Sequence, residues 1–326
     1  QMQQVIEDRI RQDDFAFIRD IWGDWSPGYD AAEDMVHIRE ALGDPDHLRA
    51  GLGYYWGQFD PTRFGSPEWT AEQGAAWGGS VPQPTLYLHG VPNSSLTWRP
   101  FLERTGGIAP DLPGFGDSVK AGTFPYSIAG YDGYLERLLD WLAVDRVNLV
   151  MHDWGACALA FAQRLPQRIE RIVLINALPL FDGYSWHRLA RIWRTPVLGE
   201  LWMGSLTPRL LRRALRHTNA TAIPERELHE IYTHFDFGTQ RAILKLYRSV
   251  KPGTLAAAGA SLHELDAPAL IVWGERDPYI PARAAAQYAH ALGGESEIAL
   301  LADAGHWPWL DRPDVVETVA RFLTSS

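Results

Sequence analysis

Short apolar runs, separated by segments with helical spacing, limit the folds that are open to this chain. Each run is flanked by turn residues, as expected for a buried strand. The runs are Thr85–Leu88, Gly107–Pro110, Val147–Met151, Ile172–Asn176, Ala269–Trp273 and Glu297–Leu301. Strands that alternate with helices form right-handed β-α units, so the sequence predicts an α/β fold with a mostly parallel sheet flanked by helices.

Two of the intervening segments show clear helical patterns. Ser127 is placed to cap a helix whose apolar residues recur at three and four positions up to Leu142. A second helix is expected over Trp154–Leu165. These segments supply the β-α connections that a parallel sheet needs.

The alternation is interrupted once, between the Ile172 and Ala269 runs. Residues 178–262 have helical spacing and no clear strand, which predicts an inserted helical lid. The α/β core is then expected over residues 81–177 and 263–326. Several arginines of the lid, such as Arg209 and Arg213, are interpreted as a solvated helix face.

Residues 1–80 are expected to form an atypical helical segment. The patterns over Asp13–Trp25 and Asp44–Phe59 are helical, and no hairpin precedes Thr85. The start of the chain, Gln1–Asp14, is polar and acidic, unlike a signal peptide, which predicts a cytoplasmic protein.

Composition argues against several classes of partner. The chain has 30 Lys and Arg against 40 Asp and Glu, a net charge of −10, and no basic stripe, so nucleic acid is not an expected partner. No run of 18 apolar residues is present to span a bilayer. Cys157 is the single cysteine, and the histidines lack ligand spacing, so we expect no disulfide, no metal and no cofactor.

The strongest local motif is Val150–Ala156, where a buried strand ends and a helix begins. It has the layout of a nucleophile elbow, with Asp153 in place of the usual serine. A carboxylate can displace a leaving group from a saturated carbon and form an alkyl ester, so the expected electrophile is a carbon bonded to halogen or to a strained oxygen. The alternative is that Asp153 only caps the following helix.

Two further residues complete a catalytic set with Asp153. Asp277 and His306 each follow a predicted strand, and the carboxyl ends of strands are where open α/β sheets build their sites. We expect Asp153 to attack carbon, His306 to activate water and Asp277 to orient the imidazole. Because His306 must be neutral, hydrolysis is expected to fail below roughly pH 6.

The loop His89-Gly90-Val91-Pro92 follows the first predicted strand. Its glycine allows close approach of the backbone to a ligand. The N–H groups of Val91 and Trp154 are therefore candidates for an oxyanion hole.

These motifs closely resemble the α/β-hydrolase fold family from Val81 to the C-terminus. Asp111–Ser118 and Asp303–Pro308 are further motifs of that family. Within it, the His-Asp-Trp-Gly elbow is similar to epoxide hydrolases and to haloalkane dehalogenases. The resemblance implies the same roles for Asp153, Asp277 and His306.

The resemblance to epoxide hydrolases also concerns how the leaving oxygen is handled. Those enzymes use lid tyrosines, one of them in a Tyr-Arg-Asn-like motif, and Tyr247-Arg248-Ser249 looks like that motif. Tyr247 is therefore the candidate acid, with Tyr184 or Tyr232 as a second tyrosine. The implied function is hydrolysis of a small apolar epoxide by water to a vicinal diol.

Two alternatives remain open. A haloalkane dehalogenase would use the same Asp-His-Asp set, with Trp154 and a lid tryptophan such as Trp193 holding the halide, although Val91 stands where one branch has asparagine. The second alternative is a non-catalytic ligand-binding protein of this fold.

The segments Asp24–Asp30 and Leu52–Trp56 look like lid sequence of related hydrolases. Oligomeric state is not readable from these motifs.

Overall fold

A computed structural model of the chain describes residues 10–20, 30, 32–44, 46–49, 52 and 84–324. The chain divides into two compact units, Gln1–Ala76 and Trp77–Ser326. In the first unit, residues 10–20 are helical and precede helix α1 (Ala32–Leu42). These elements share a small apolar core of their own, formed by Ile10, Phe15, Met35 and Leu48. Apart from Asp30 and Leu52, the two lid-like segments lie outside the described residues.

A parallel sheet forms the centre of the second unit. Its strands are β1 (Thr85–Leu88), β2 (Val147–Asp153), β3 (Ile169–Ala177), β4 (Ala269–Gly274) and β5 (Ser296–Leu301). They lie side by side in chain order, and each neighbouring pair is parallel. The prediction of an α/β fold with a parallel sheet is confirmed.

The strand predicted at Gly107–Pro110 is reduced to a single bridge between Leu86 and Ile108. Two backbone hydrogen bonds of 2.8 Å make this bridge. The pairing does not extend because Gly107 has a φ of 117°, outside the strand region, and Pro110 has no N–H to donate.

Helices separate the strands and also fill the insertion between β3 and β4. In chain order they are α2 (Arg99–Thr105), α3 (Ile128–Trp141), α4 (Ala158–Arg164), α5 (Arg188–Arg194), α6 (Leu198–Gly204), α7 (Pro208–Leu215), α8 (Glu225–Thr233), α9 (Phe237–Ser249), α10 (Thr254–Ala258), α11 (Arg283–Ala291), α12 (Pro308–Asp311) and α13 (Asp314–Thr324). Short 3-10 turns occupy Ser95–Trp98, Trp154–Cys157, Pro166–Arg168 and Leu262–Glu264. As expected, the Ser127 side chain caps α3 by accepting the Gly130 N–H. Within the described residues, no helix is long and apolar enough to span a membrane.

The sheet is covered on both faces because alternate residues of each strand point in opposite directions. In β2, Leu149 and Met151 pack in one core cluster with α3 and α4, whereas Val150 packs in a second cluster with α2 and α13. A strand with two buried faces must be apolar throughout, which explains the continuous runs in the sequence.

The helices α5 to α10 occupy the stretch for which the sequence predicts a lid. Buried residues of α5 and α9, such as Trp193 and Tyr247, belong to the first core cluster. Leu211 and Leu215 of α7 belong to the second. The insertion is therefore packed against the sheet unit through both clusters.

Candidate active site

Asp153 ends strand β2 in a backbone conformation that non-glycine residues rarely adopt. Its φ is 48° and its ψ is −119°, and the 3-10 turn begins at the next residue, Trp154. Such a conformation costs on the order of 1–3 kcal/mol. The surroundings are packed closely around it: a Cβ on Gly90 would lie 2.4 Å from the Asp153 Cβ, and one on Gly155 would lie 2.2 Å from the Leu88 oxygen, so both positions require glycine.

The structure brings Asp153, Asp277 and His306 together. His306 Nδ1 lies 2.8 Å from Asp277 Oδ2, and His306 Nε2 lies 4.0 Å from Asp153 Oδ2. The exposed fractions of the three side chains are 8% for Asp153, 0% for Asp277 and 3% for His306. The ring therefore has one nitrogen on an orienting carboxylate and the other facing the candidate nucleophile, beyond hydrogen-bond distance.

Asn176, at the end of β3, is a member of this site that the sequence analysis missed. Its Nδ2 donates to Asp277 Oδ2 over 2.6 Å, and its Oδ1 accepts the Gly274 N–H over 2.9 Å. Asp277 Oδ1 in turn accepts the N–H groups of Tyr279 and Ile280. These bonds fix the carboxylate that orients His306. A polar residue at the carboxyl end of a predicted buried strand was the signal available in the sequence.

Both titrating partners of this site have raised pKa values, although burial acts on them in opposite directions. Burial raises the pKa of Asp153 to about 6, although His306 and the Val91 N–H lower it in part. Burial alone would lower the pKa of His306, but the charge and hydrogen bond of Asp277 outweigh it and hold the pKa above 6.5. His306 is therefore more readily protonated than an exposed histidine.

The loop after β1 supplies a backbone donor to Asp153. The Val91 N–H donates to Asp153 Oδ2 over 3.1 Å. The loop is held by His89, whose Nε2 accepts the Leu112 N–H, so that its Nδ1 carries the proton and donates to the Gly90 oxygen. The arrangement places a donor where negative charge would form on the carboxyl group of Asp153.

Asp153 and His306 open onto a narrow, mostly aromatic cavity. Its volume is about 40 Å³, enough for a few waters. The aromatic lining residues are Trp154, Tyr184, Trp186, Trp193, Trp202, Phe235, Tyr247, Tyr279 and Trp307. The candidate acid Tyr247 and two of the predicted substrate-binding residues, Tyr184 and Trp193, thus share one cavity with Asp153.

Tyr247 is buried in α9 with its ring edge-on to Trp154, at a centroid distance of 4.9 Å. Burial raises the pKa of its phenol well above the ordinary value, and the charge of Asp153 raises it further. The phenol therefore keeps its proton at neutral pH.

The two candidates for a second tyrosine are placed differently. Tyr184 lines the cavity, but its hydroxyl donates to the Tyr279 carbonyl over 3.2 Å. Tyr232 is not among the cavity-lining residues; it lies on α8 with 39% of its surface exposed. The structure therefore does not bring Tyr232 to the site, because the buried face of α8 is the one that carries Ile231.

Two cavity residues that the sequence analysis did not single out are Tyr279 and His187. The ring of Tyr279 is edge-on to that of His306 at 5.0 Å, and its hydroxyl is 2.9 Å from Thr218 Oγ1. His187 caps helix α5 through its side chain. No local pattern distinguishes either residue, since both reach the cavity only through packing between the insertion and the core.

Cavity residues also include tryptophans with unused indole N–H groups. The Nε1 atoms of Trp154, Trp193 and Trp307 are buried and have no acceptor among the residues that the structure describes. Over the same residues, no cluster of three or more His, Cys, Asp or Glu side chains is arranged to hold a metal ion.

Comparison with known proteins agrees with this geometry at the level of the fold. The family described as alpha/beta hydrolase fold matches residues 83–313. The match spans β1 to β5 and every residue of the site described above.

Individual relatives carry different names. An uncharacterized protein of Mycobacterium tuberculosis is 29% identical over 267 residues, which cover 74% of this chain and 75% of that protein. Epoxide hydrolase 3 of Mus musculus is 27% identical over 246 residues, covering 68% of this chain and 65% of that protein. Among solved structures, a haloalkane dehalogenase of Bradyrhizobium elkani is 27% identical with a TM-score of 0.64, covering 74% of this chain and 90% of that one.

Proposed function

Because the chain belongs to the alpha/beta hydrolase fold family, we propose that it is an epoxide hydrolase. It opens a small apolar epoxide to a vicinal diol through an alkyl ester on Asp153. The narrow aromatic cavity favours a small or slender substrate without charged groups.

The observation that carries this proposal is a buried phenol, Tyr247, in the same cavity as Asp153. When an epoxide opens, its oxygen becomes an alkoxide and needs a proton. A phenol that remains neutral at pH 7 can supply that proton, and the nearby charge of Asp153 opposes its ionisation before the ring opens.

In the first step a carboxylate oxygen of Asp153 attacks one epoxide carbon. The carbon–oxygen bond breaks, and its electron pair passes to the ring oxygen. Tyr247 transfers its phenolic proton to that oxygen. The result is a hydroxyl group on an alkyl chain that is esterified to Asp153.

In the second step neutral His306 takes a proton from water, and the hydroxide adds to the ester carbonyl. The N–H groups of Val91 and Trp154 stabilise the oxyanion. The intermediate then expels the second diol oxygen, which takes the proton from His306. The proton left on the Asp153 carboxyl group returns to the Tyr247 phenolate, so that one epoxide and one water give one diol.

A second candidate function is haloalkane dehalogenation. The unused indole N–H groups of Trp154 and Trp193 favour it, because a halide leaves as an anion and needs donors rather than an acid. The two nitrogens are covered by neighbouring atoms, so they would have to shift to meet a halide. For that reason the epoxide reaction is our leading proposal.

The deciding measurement is a product assay at pH 7.5 with a panel of aryl and alkyl epoxides and a panel of bromoalkanes. We expect diol and no free bromide, and no diol from an Asp153→Asn variant whose mass shows that it has not deamidated. Bromide without diol would replace the proposal by dehalogenation. Neither product, across both panels, would favour the ligand-binding alternative.

The covalent step has its own test. A His306→Gln variant should form the ester but not hydrolyse it, giving a mass increase equal to that of the epoxide. The increase should map to the peptide that contains Asp153. Addition at another residue would contradict the assignment of the nucleophile.

A further inference from the structure

We propose that His187, at the start of α5, is the second hydrogen-bond donor to the oxygen that leaves carbon when the epoxide opens, acting beside Tyr247. This inference rests on the proposed epoxide hydrolase function. It assigns the role for which the sequence analysis had considered Tyr184 and Tyr232.

The position of His187 in the cavity suits this role. His187 lines the same cavity as Asp153, Tyr247 and His306. Its ring lies 4.8 Å from that of Tyr279 and 6.5 Å, edge-on, from that of Tyr247. These aromatic neighbours restrict rotation of the imidazole, so the ring is held before substrate arrives.

The helix cap determines which ring nitrogen carries the proton. His187 Nδ1 accepts the backbone N–H of Ala190 over 3.2 Å, as the N-cap of α5. An accepting nitrogen has no hydrogen, so the neutral ring carries its proton on Nε2. His187 is therefore a hydrogen-bond donor on the side away from the cap.

The Nε2 proton is also available. No group in the described part of the chain accepts a hydrogen bond from His187 Nε2. This nitrogen is also not fully buried, in contrast to the indole nitrogens of the cavity tryptophans. The neighbouring hydroxyls are already engaged, since that of Tyr184 donates to a carbonyl and that of Tyr279 is bonded to Thr218.

Electrostatics keep this donor neutral. Burial, helped by the charge of His306, lowers the pKa of His187 to about 4 against a smaller opposing effect of Asp277. Protonation would also place a hydrogen on Nδ1 and break the helix cap. At neutral pH the residue therefore cannot replace His306 as a base, because its one lone pair is used by the cap.

The chemistry is balanced without an additional reactant. As the carbon–oxygen bond breaks, the electron pair passes to oxygen, and Tyr247 gives up its proton to it. His187 keeps its own proton and stabilises the developing negative charge through Nε2–H. No such oxygen leaves a saturated carbon during ester hydrolysis, so His187 should act on the first step alone.

Two substitutions separate the donor from the cap. A serine at position 187 can cap α5, but its side chain is too short to place a donor in the cavity. An asparagine can accept the Ala190 N–H through Oδ1 and still present an N–H group of Nδ2. In single-turnover measurements with the best epoxide of the panel, His187→Ser should slow ester formation by about 10- to 100-fold. His187→Asn should restore part of the rate, because its Nδ2 lies closer to the helix than the imidazole Nε2, and hydrolysis of the ester should be unchanged in both.

Three outcomes would overturn the inference: ester formation at the parental rate in His187→Ser, an equal loss in both steps, or no recovery in His187→Asn. An equal loss would indicate damage to the insertion rather than loss of a donor. Thermal unfolding of both variants provides the control for the cap.

The same substitutions in a His306→Gln background distinguish the two proposals. If that background forms no ester with His187 intact, the proposed function fails and the inference fails with it. If it forms ester equally fast with and without the His187→Ser change, the inference alone fails.

Discussion

Asp153 combines a strained backbone with a carboxylate that is almost fully buried. Neither feature stabilises the fold, and each is useful for a nucleophile. The strain directs the side chain towards the cavity, and burial removes the water that would otherwise weaken its attack. The same burial raises its pKa to about 6, towards that of His306.

Ester should accumulate as the pH falls from 8 to 6. Ester formation needs ionised Asp153, whose pKa is about 6, whereas ester hydrolysis needs neutral His306, whose pKa is held above 6.5 by Asp277. The hydrolysis step therefore fails first on acidification. Acid quenching of the enzyme during turnover, followed by mass spectrometry, measures the ester fraction, and a fraction that is constant or decreases over this range would contradict the assignment.

An Asp153→Asn variant should be more stable than the parent at pH 8. The folded pKa of about 6 lies above the unfolded value of 3.8, so the folded state binds the proton more tightly and ionisation above pH 6 destabilises it. Removing the charge should raise the free energy of unfolding by about 1–3 kcal/mol at pH 8. The gain in stability should shrink as the pH falls from 6 to 4. Denaturant unfolding of both proteins at pH 8 and at pH 4 tests this. An equal gain at the two pH values would exclude the charge of Asp153 as its cause.

At the scale of elements, helix α9 carries Tyr247 near its end, and side-chain interactions hold the helix at both of its ends. Asp236 caps its start, accepting the Thr239 N–H, and pairs with Lys120 at 2.7 Å. At its other end, Arg194 of α5 donates to the carbonyls of Tyr247 and Val250. The position of the candidate acid therefore depends on contact between two helices of the insertion.

An Arg194→Met substitution should loosen that end of α9. The change leaves two partly buried carbonyls without donors and removes the stacking of the guanidinium on Trp186, at a cost of about 1–3 kcal/mol. We expect a lower Tm and slower ester formation, with little change in ester hydrolysis, because Tyr247 acts in the first step only. Single-turnover rates measure both steps.

The matched control for this prediction is Arg194→Lys, which keeps the positive charge but not the fork of the guanidinium. It should restore part of the lost stability and part of the lost rate, because one ammonium group can donate to the same carbonyls with poorer geometry. An Arg194→Met variant that slows both chemical steps equally would contradict a specific effect on Tyr247.

At the scale of the whole molecule, every residue of the candidate site lies in the second unit. The cavity-lining residues run from Val91 to Trp307, and the unit spans Trp77–Ser326. The first unit has an apolar core of its own. We propose that residues 1–80 are an accessory segment and not part of the catalytic centre.

A shortened chain that begins at Val81 should therefore fold and retain kcat/KM within a few-fold of the parent. Circular dichroism and thermal unfolding provide the folding control. A folded but inactive shortened chain would show that the first unit contributes to the site and would reject the accessory role.

Local sequence determined much of this protein. The apolar runs predicted the strands because a strand buried on both faces must be apolar at every position, and this depends only on consecutive residues. The elbow at Asp153 was readable for the same reason, since a strand, a strained residue and a helix start follow one another directly. Asp277 and His306 were predicted to lie near Asp153 because each follows a strand, and parallel strands end at one edge.

Tertiary packing decided the rest. Asn176 became part of the site through a side-chain contact with Asp277, 101 positions away in the chain. His187 reaches the cavity, while Tyr232 does not, because of how the helices of the insertion rest on the sheet. The Gly107–Pro110 run was shortened to a bridge by Pro110, which the sequence shows, and by the φ of Gly107, which its pattern does not reveal. Contacts between distant segments decided the positions of Asn176, His187 and Tyr232, and a single backbone torsion contributed at Gly107. Neither such contacts nor such a torsion is encoded in the spacing of residue types.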